Sequence, residues 1–281
     1  MNWPELLPLL AWPASRWLPA NALWHSLQRL ARQLASKVNH GDARYRQQAG
    51  ILATLLVMLP LLALLWLLQA SAELQELVHV IGFYLALSDA RPARLAALAY
   101  AGKQQGRQWL ASICRRDTQS LSEQGLFKAA IEAQWRISCE RLLLVLLGGL
   151  GFGLAALALR AFWQLTDSWH PAQPAFHSFG YWPQRLARGL RLLAVPLALF
   201  WLILPLSPSA LLRRPWPLAP LANALQCQLG GPLKLAGRKI SRPRLGPPVT
   251  PTSQQLLRLG RLATGAELGT VLIICVLLLA I

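Results

Sequence analysis

The sequence predicts an all-α, polytopic integral membrane protein with four or five membrane segments. Of its 281 residues, 54% are hydrophobic and only 14% are charged, whereas an average soluble domain is about 25% charged. The apolar residues are concentrated in blocks, and basic segments separate the blocks. Because roughly 20 apolar residues cross a bilayer core as a helix, these blocks are typical of membrane-spanning helices.

The charge balance is strongly basic. Lys and Arg number 28 against 11 Asp and Glu, which gives a formal net charge of +17. Nucleic-acid-binding domains share such a balance, but the sequence has no zinc-finger, RNP-type or long basic-helix pattern. Basic loops beside apolar helices are typical of cytoplasmic segments of membrane proteins. We therefore expect the lipid bilayer as a partner and no nucleic acid.

The first 88 residues are predicted to form a basic amphipathic segment followed by a membrane hairpin. Residues 1–50 form a basic amphipathic segment, and residues 51–88 form the hairpin. Within the hairpin, residues 51–69 are almost purely apolar and lack the polar stripe of a soluble helix. Residues 73–88 are shorter and mixed, so we expect a short return that packs against protein.

The next region carries nine Lys and Arg residues between positions 91 and 141. Because such residues are retained in the cytoplasm, residues 89–141 are predicted to form water-exposed cytoplasmic helices. Pro92 suits the first turn of a helix, which is expected to continue through residues 94–110. Thr118 or Ser122 is expected to cap a further helix that runs through Glu132.

Residues 142–207 are predicted to contain two membrane helices, at 142–159 and 190–206. The glycines at 148, 149, 151 and 153 are expected to let helices approach closely, with a break in the helix as the alternative. Between the two helices, residues 161–184 contain no Lys or Arg and are rich in aromatic side chains, which favour the membrane–water interface. We therefore expect an aromatic-rich connection on the outer face of the membrane.

The C-terminal part predicts a loop and an anchor. Residues 208–261 are rich in Pro, Gly and Arg and are expected to form a cytoplasmic loop region. Residues 262–281 are long enough for a terminal membrane anchor, although they include Glu267.

The common catalytic and metal patterns are absent from the sequence. It contains no P-loop, GxGxxG after a strand, GxSxG or HExxH. The four cysteines are scattered, so neither a zinc ribbon nor a redox pair is indicated. His170 and His177 lie in the aromatic segment as interfacial polar residues rather than a metal pair. No metal ligands are predicted.

Several short motifs resist a purely structural account, and their order along the chain is the informative feature. They are Arg116-Asp117-Thr118 with Leu121, Ile131-Glu132, Phe179-Gly180 with Arg185-Leu186, Leu229-Gly230-Gly231-Pro232, and Arg242-Pro243-Arg244-Leu245-Gly246. Taken in this order, they resemble the CobD/CbiB family of cobalamin-biosynthesis membrane proteins. The resemblance runs from about Trp17 to Gly246, and the chain is similar to a divergent member.

The resemblance implies an activity in the bacterial inner membrane. The family joins aminopropanol, or its phosphate, to a carboxylate of adenosylcobyric acid and so forms adenosylcobinamide or its phosphate. An ATP-dependent, amide-bond-forming ligase is therefore expected, and the cofactors ATP and Mg²⁺ are implied by the resemblance only. The expected partners are the corrinoid substrate and other cobalamin-biosynthesis proteins.

The matching motif positions also imply site residues. Asp117 and Glu132 are the expected catalytic carboxylates, and the expected substrate-binding residues are Arg116, Thr118, Arg185, Gly230, Gly231, Arg242 and Arg244. Each has an ordinary structural alternative. Asp117 could form a helix cap or ion pair, the glycines an ordinary turn, and Arg185 an interfacial anchor. In the functional interpretation, the amides of the glycines form an anion nest.

The chain departs from the family where acidic or polar residues are expected. Arg136 and Ile137 replace an acid and an Asn, and Ala187 and Arg188 replace paired Asp residues. Replacing an acid by Arg at a metal site adds about 4 kcal/mol of repulsion for unit charges 4 Å apart at an effective dielectric of 20. The alternative function is therefore a non-catalytic, AmpE-like sensor or scaffold of the same superfamily.

Overall fold

The computed structural model describes residues 7–18, 21–114, 117–171, 173–204, 206, 209, 218–235 and 238–279. Helices dominate, which confirms the all-α prediction. They are α1 Leu7–Trp17, α2 Asn21–Val38, α3 Ala43–Ser71, α4 Gln75–Leu87, α5 Arg91–Leu98, α6 Lys103–Ile113, α7 Glu123–Gly149, α8 Gly153–Ser168, α9 Tyr181–Ala198, α10 Leu218–Ala224 and α11 Ser253–Leu279.

The remaining regular structure is short. A 3₁₀ turn occupies Pro174–Phe176, and a π-helical turn, Leu199–Ile203, continues α9. Four short strands form two antiparallel ladders, in which β1 (Leu229–Gly230) pairs with β4 (Arg244–Leu245) and β2 (Leu233–Leu235) pairs with β3 (Arg238–Ile240).

The chain divides into two compact units. The first unit comprises Met1–Asp89, Leu143–Arg191 and Gly269–Ile281. The second unit comprises Ala90–Leu142 and Leu192–Leu268. Each unit is thus assembled from segments that are distant in the sequence.

Three helical segments of the described chain are long and apolar enough to cross a membrane. They are Ala43–Ser71, Tyr181–Ile203 and Ser253–Leu278. Together with the all-helical architecture, they confirm a multi-pass membrane protein. The first contains the predicted span 51–69 and remains one continuous helix with Pro60 inside it.

The start of α3 is determined locally. The Asp42 side chain caps the helix, because its Oδ1 accepts a hydrogen bond from the backbone N–H of Tyr45 at 2.9 Å. A capping carboxylate satisfies a helix N–H group that has no partner within the helix. The chain thus enters this span from a polar turn.

The predicted membrane helix at 142–159 is wrong as a single element. Helix α7 ends at Gly149 and α8 begins at Gly153. Gly151 has a φ of +86°, a conformation that side chains of L-residues rarely adopt. A Cβ atom at Gly153 would overlap the backbone carbonyl of His79, so the glycine permits close packing of α8 on α4. The glycines therefore break the helix.

The predicted water-exposed helices at 91–141 are partly wrong. Pro92 does lie in the first turn of α5, but α5 ends at Leu98 and α6 starts separately after Gly102. The middle of α7 is buried rather than exposed to water, with Leu126, Ile131 and Ile137 among its buried side chains. Hydrophobic residues in this segment lie among basic residues, which concealed the buried face from a reading of charge alone.

Two further boundaries differ from the prediction. Residues 161–168 belong to α8, and α9 already begins at Tyr181, so the aromatic-rich connection is shorter than 161–184. The terminal helix α11 begins at Ser253, nine residues before the predicted anchor at 262–281. The first turns of both helices are rich in polar, aromatic or proline residues, namely Tyr181-Trp182-Pro183-Gln184 in α9 and Ser253-Gln254-Gln255 in α11, so these helix starts resembled loops in the sequence.

Glu267, the acid within the terminal helix, has a buried partner in the second unit. Arg141 of α7 donates two hydrogen bonds to its carboxylate, from Nε at 2.7 Å and from Nη2 at 3.0 Å. The two side chains are 5% and 2% exposed. Because an unpaired buried charge is strongly unfavourable, the fork-like pairing explains how a membrane-type helix holds a carboxylate.

We predict that Glu267→Ala destabilises the protein by about 3–5 kcal/mol, because it leaves the Arg141 guanidinium buried without its partner. The double variant Arg141→Leu/Glu267→Leu should recover most of this loss, because no buried charge then remains. Chemical unfolding in detergent micelles measures both changes. Equal unfolding free energies for the wild type and Glu267→Ala would show that the pair does not stabilise the fold.

Candidate functional site

Segments that are far apart in the sequence meet at the side chain of Glu132 in the second unit. Its Oε1 accepts a hydrogen bond from the backbone N–H of Gly230 at 3.0 Å. Its Oε2 accepts one from Nη2 of Arg242 at 3.1 Å. The side chains of Glu132 and Arg242 are 11% and 36% exposed. One carboxylate therefore joins α7 to both closing motifs.

Helix α7 presents Glu132 in a defined direction. Ser122 begins the helix, because its Oγ accepts from the N–H of Gly125 at 3.1 Å and its carbonyl accepts from the N–H of Leu126 at 2.9 Å. This contact confirms Ser122, one of the two expected capping residues. Ile131 and Ala133, which flank Glu132, are buried, so packing on both sides limits how α7 can rotate.

The two closing motifs form a single ladder. Leu229 pairs with Leu245, and Gly230 pairs with Arg244. Gly230 and Gly231 have φ values of +70° and +80°, which favour glycine because a Cβ atom is strained there. The sequence interpretation of Gly-Gly-Pro as a turn therefore agrees with the backbone.

The glycine amides do not form the anion nest that the functional interpretation of the sequence suggested. The N–H of Gly230 is directed to Glu132, and the N–H of Gly231 donates to the carbonyl of Pro243 at 2.8 Å. A backbone N–H donates one hydrogen bond at good geometry. Both donors are therefore committed to protein acceptors, and the glycines shape the site rather than bind an anion through their amides.

Lys128 belongs to this site, and the motif comparison missed it. It lies one helical turn before Glu132 on α7, and the position of a Cβ atom at Gly231 would be 3.3 Å from its Nζ. Arg244 approaches the same position, with its Cγ at 3.3 Å. Because residues four apart share a helix face, the spacing of Lys128 and Glu132 was the available signal. We define Lys128, Arg242 and Arg244 as the cationic cluster.

Cys227 lies near the cationic cluster but is not poised for reaction. Burial raises the pKa of its thiol to about 11, although the charge of Lys128 acts to lower the pKa. The thiolate is the nucleophilic form of cysteine. Because the thiol stays protonated at neutral pH, Cys227 does not serve as a nucleophile in this arrangement.

The segment that contains Asp117 and Thr118 is joined to the β2–β3 ladder by a backbone hydrogen bond. The N–H of Asp117 donates to the carbonyl of Lys234 on β2 at 3.1 Å, and its Oδ1 accepts from the N–H of Gln119 at 3.1 Å. Thr118 is buried. The segment is thus held as a polar turn beside the strand that follows Gly231. Arg116, the other expected residue of this motif, lies outside the described residues.

Arg185 is placed in the first unit. It is exposed on α9, donates from Nη1 to the hydroxyl of Tyr181 at 3.1 Å, and lies 5.8 Å from the Trp182 ring centroid. An arginine among aromatic side chains at the start of a membrane-type helix is typical of an interfacial anchor. These contacts agree with the structural alternative for Arg185.

Three of the four residues that stand where the resemblance implied acidic or polar residues have structural roles. Arg136 donates from Nη2 to the carbonyl of Ile113 at 3.0 Å and so stabilises the last turn of α6. Ile137 is fully buried. Arg188 is exposed and Ala187 is buried on α9. At these three positions, a contact at the end of α6 and apolar packing stand where the resemblance implied acidic or polar residues.

The carboxylates of the second unit do not fit a Mg²⁺ site at Glu132. Magnesium prefers carboxylate and phosphate oxygens in octahedral geometry. Glu132, Glu140 and Glu267 each contact an arginine instead, and no group of three or more His, Cys, Asp or Glu within the described ranges could hold a metal ion. The cationic cluster matches an anion rather than a metal.

The chain is similar to known proteins of one family over most of its length. The family model described as CobD/Cbib protein matches residues 8–263. A protein of Stutzerimonas stutzeri (strain A1501), named cobalamin biosynthesis protein CobD, is 28% identical over 254 residues, covering 81% of this chain and 82% of its own length. No solved structure matches. The family match includes both ends of the Glu132 network.

We predict that Gly231→Ala destabilises the second unit by about 1–2 kcal/mol, because the residue is held at positive φ and its Cβ would press on Lys128 and Arg244. Thermal unfolding of the solubilised protein measures the loss. Gly189→Ala is the matched control, because a Cβ there meets open space. Equal melting temperatures for the two variants would contradict the prediction.

Proposed function

Because this chain belongs to the CobD/Cbib protein family and so has a role in cobalamin biosynthesis, we propose that it converts adenosylcobyric acid to adenosylcobinamide or its phosphate. In this reaction the amine of aminopropanol, or of its phosphate, forms a C–N bond to a corrinoid carboxylate. A C–O bond of the activated carboxylate breaks, and the amine loses a proton. The product is an amide.

The observation that carries the proposal is the convergence on Glu132. The acidic motif on α7 and the two closing motifs are separated by about 100 residues, yet Glu132 contacts Gly230 and Arg242 directly. Motifs that share a family order and also meet in space support a common site. The match of the family model over residues 8–263 supports the same conclusion.

The cationic cluster suits the proposed substrates. Corrinoid carboxylates and aminopropanol phosphate are anionic, and lysine and arginine bind such groups through charge-assisted hydrogen bonds. We propose that Lys128, Arg242 and Arg244 bind one of these groups. Glu132 then acts as a positioning residue that orients the Arg242 guanidinium, rather than as the catalytic carboxylate expected from the sequence.

The proposed reaction also needs a proton acceptor for the amine and a means of activating the carboxylate. Asp117 is partly exposed beside the β2–β3 ladder, and we propose that its carboxylate accepts the amine proton. A free carboxylate must be activated before it forms an amide, and the family resemblance implies ATP with Mg²⁺ for that purpose. ATP phosphates match the charge of the cationic cluster, whereas the arginine-bound carboxylates do not offer Mg²⁺ its oxygen ligands.

The location and partners are proposed from the same family membership. The chain is a multi-pass membrane protein, and we propose the bacterial inner membrane, with the site of the second unit in the cytoplasm. That side supplies ATP and the soluble substrates. Other cobalamin-biosynthesis proteins are proposed as neighbours that deliver the corrinoid or receive the product.

A second function has specific support. The positions of the expected acids carry Arg136 and Arg188, and the remaining buried carboxylates of the second unit contact arginines. These contacts favour a family member that binds a corrinoid through the cationic cluster without transforming it. Such a protein would act as a sensor or scaffold in the membrane.

Genetic rescue tests the proposed reaction. A strain without its own cobinamide-forming step, supplied with cobyric acid, should regain cobalamin-dependent growth when it expresses this protein. Feeding cobinamide instead should restore growth without the protein, which verifies the later steps. Absence of growth on cobyric acid, with the protein present in the membrane fraction, would reject catalysis and favour the sensor or scaffold.

The role of Glu132 as a positioning residue predicts a graded loss. Glu132→Gln should retain an oxygen that accepts from Gly230 but lose the charge that holds Arg242, so the rate should fall about 10–100-fold, the range for losing one charge-assisted contact of about 1.5–3 kcal/mol. Glu132→Asp should be less impaired. An assay of amide formation in membranes measures the rates, and complete loss in every Glu132 variant would indicate direct catalysis instead.

The cationic cluster makes a separate prediction about binding. Lys128→Gln should weaken corrinoid binding about 10-fold, consistent with a contribution near 1.4 kcal/mol from one charged contact. Lys103→Gln is the matched control, because Lys103 is an exposed lysine on α6. Changes in the visible absorption of a titrated corrinoid measure both affinities. Equal weakening in the two variants would show a general charge effect rather than a site.

A further inference from the structure

Helix α2 of the first unit is anchored to the protein along one face. Trp24, Ala31 and Ala35 repeat at helical spacing and are buried. The indole Nε1 of Trp24 donates to the carbonyl of Ser88 at 2.8 Å, and that of Trp169 donates to the carbonyl of Ala31 at 2.8 Å. These hydrogen bonds fix the rotation of α2, so its other faces point outward in a defined way.

A second face of α2 exposes leucines. Leu23, Leu27, Leu30 and Leu34 follow one another at intervals of four, three and four residues and so occupy one stripe. Leu23 and Leu30 are 43% and 50% exposed. Apolar side chains prefer to leave water. Leu27 and Leu34 are half-buried, and Leu34 packs against the buried cluster that contains Ala31 and Ala35. Leu23 and Leu30 are therefore the members of the leucine stripe that face outward and would gain from an apolar environment.

A third face is basic. Arg29, Arg32 and Lys37 are exposed, and α2 contains no Asp or Glu between residues 21 and 38. Its polar neighbours add no negative charge, since the Arg29 Nη2 donates to the neutral Ser26 hydroxyl at 3.2 Å. The basic stripe thus presents three positive charges without an acid on the same helix.

The place of α2 in the chain relates these faces to the membrane. Only residues 39–42 separate α2 from α3, which is a membrane-type helix. The first turn of α3 exposes Arg44 and Tyr45, side chains that are common at the polar edge of a span. The exposed leucines of α2 therefore lie close in the sequence to a helix whose surface is typical of contact with lipid.

We propose that α2 binds anionic phospholipid at the membrane surface. The basic stripe contacts the lipid phosphates, and the leucine stripe enters the boundary between headgroups and acyl chains. Adjacent cationic and apolar stripes are characteristic of interfacial helices. An acidic protein would complement the cations, but the leucine stripe beside a spanning helix favours lipid.

A lipid-quenching experiment on the full chain tests this proposal. Ser36, an exposed residue on the basic side of α2, is changed to cysteine and labelled with a bimane fluorophore. The background is Cys114→Ser, because the other three cysteines are buried. The protein is reconstituted in vesicles with equal amounts of phosphatidylcholine and phosphatidylglycerol, and a doxyl quencher is placed on one lipid or the other.

Quenching by doxyl-phosphatidylglycerol should exceed quenching by doxyl-phosphatidylcholine. In Arg29→Gln/Arg32→Gln the preference should fall, by up to about fivefold for each charge removed. Arg29→Lys/Arg32→Lys should keep it, and added salt should reduce it by screening. In Leu23→Gln/Leu30→Gln both lipids should quench less.

Three results would overturn the proposal. They are an unchanged preference in the Gln variant, an equal loss in the Lys variant, and negligible quenching by either lipid. The last would place α2 in water and favour an acidic protein partner. All substituted positions except Cys114 are exposed on α2, and gel filtration of each variant verifies that it is folded before labelling.

Discussion

The buried carboxylates of this protein depend on arginine. Removing an ion from water costs several kcal/mol even after relaxation, and only a close and well-oriented partner offsets that cost. Each unit uses such pairs to bring together segments that are distant in sequence. In the first unit the pairs are Asp89 with Arg160 and Asp167 with Arg191, and in the second they are Glu132 with Arg242, Glu140 with Arg91, and Glu267 with Arg141.

The same constraint shapes the candidate site. Glu132 is a contact point between α7 and the closing ladder, and its carboxylate is occupied by protein donors. In the proposed function, the groups that bind a ligand are therefore the cations Lys128, Arg242 and Arg244. This arrangement is consistent with an anionic corrinoid or aminopropanol phosphate, and it separates the question of binding from the question of catalysis.

Arginine also appears where the resemblance implied acids, and the consequences are local. Arg136 stabilises the end of α6 by its contact with the Ile113 carbonyl. The change at that position reverses charge but does not leave a buried guanidinium without a contact. The fold therefore tolerates arginine at this position.

The helix boundaries show where reading the sequence succeeds and fails. The span in α3 was predicted because a long run of apolar residues is unfavourable in water and is typical of a membrane-spanning helix. The break between α7 and α8 was only the alternative interpretation of the sequence, because the glycines that cause it are also common in continuous membrane helices. Close approach of Gly153 to His79 requires knowledge of the neighbouring helix, and no local pattern carries that information.

By itself, the sequence determined the class of the protein, the span in α3 and the family to which its ordered motifs belong, because hydropathy and motif order are properties of the chain. The tertiary structure alone decided that Glu132 holds Gly230 and Arg242, that Lys128 lies beside Gly231, and that Glu267 is paired. These outcomes depend on contacts across about 100 residues or more of sequence or, for Lys128, on the face that packing assigns to α7. Burial and pairing are three-dimensional, so a linear pattern cannot specify them.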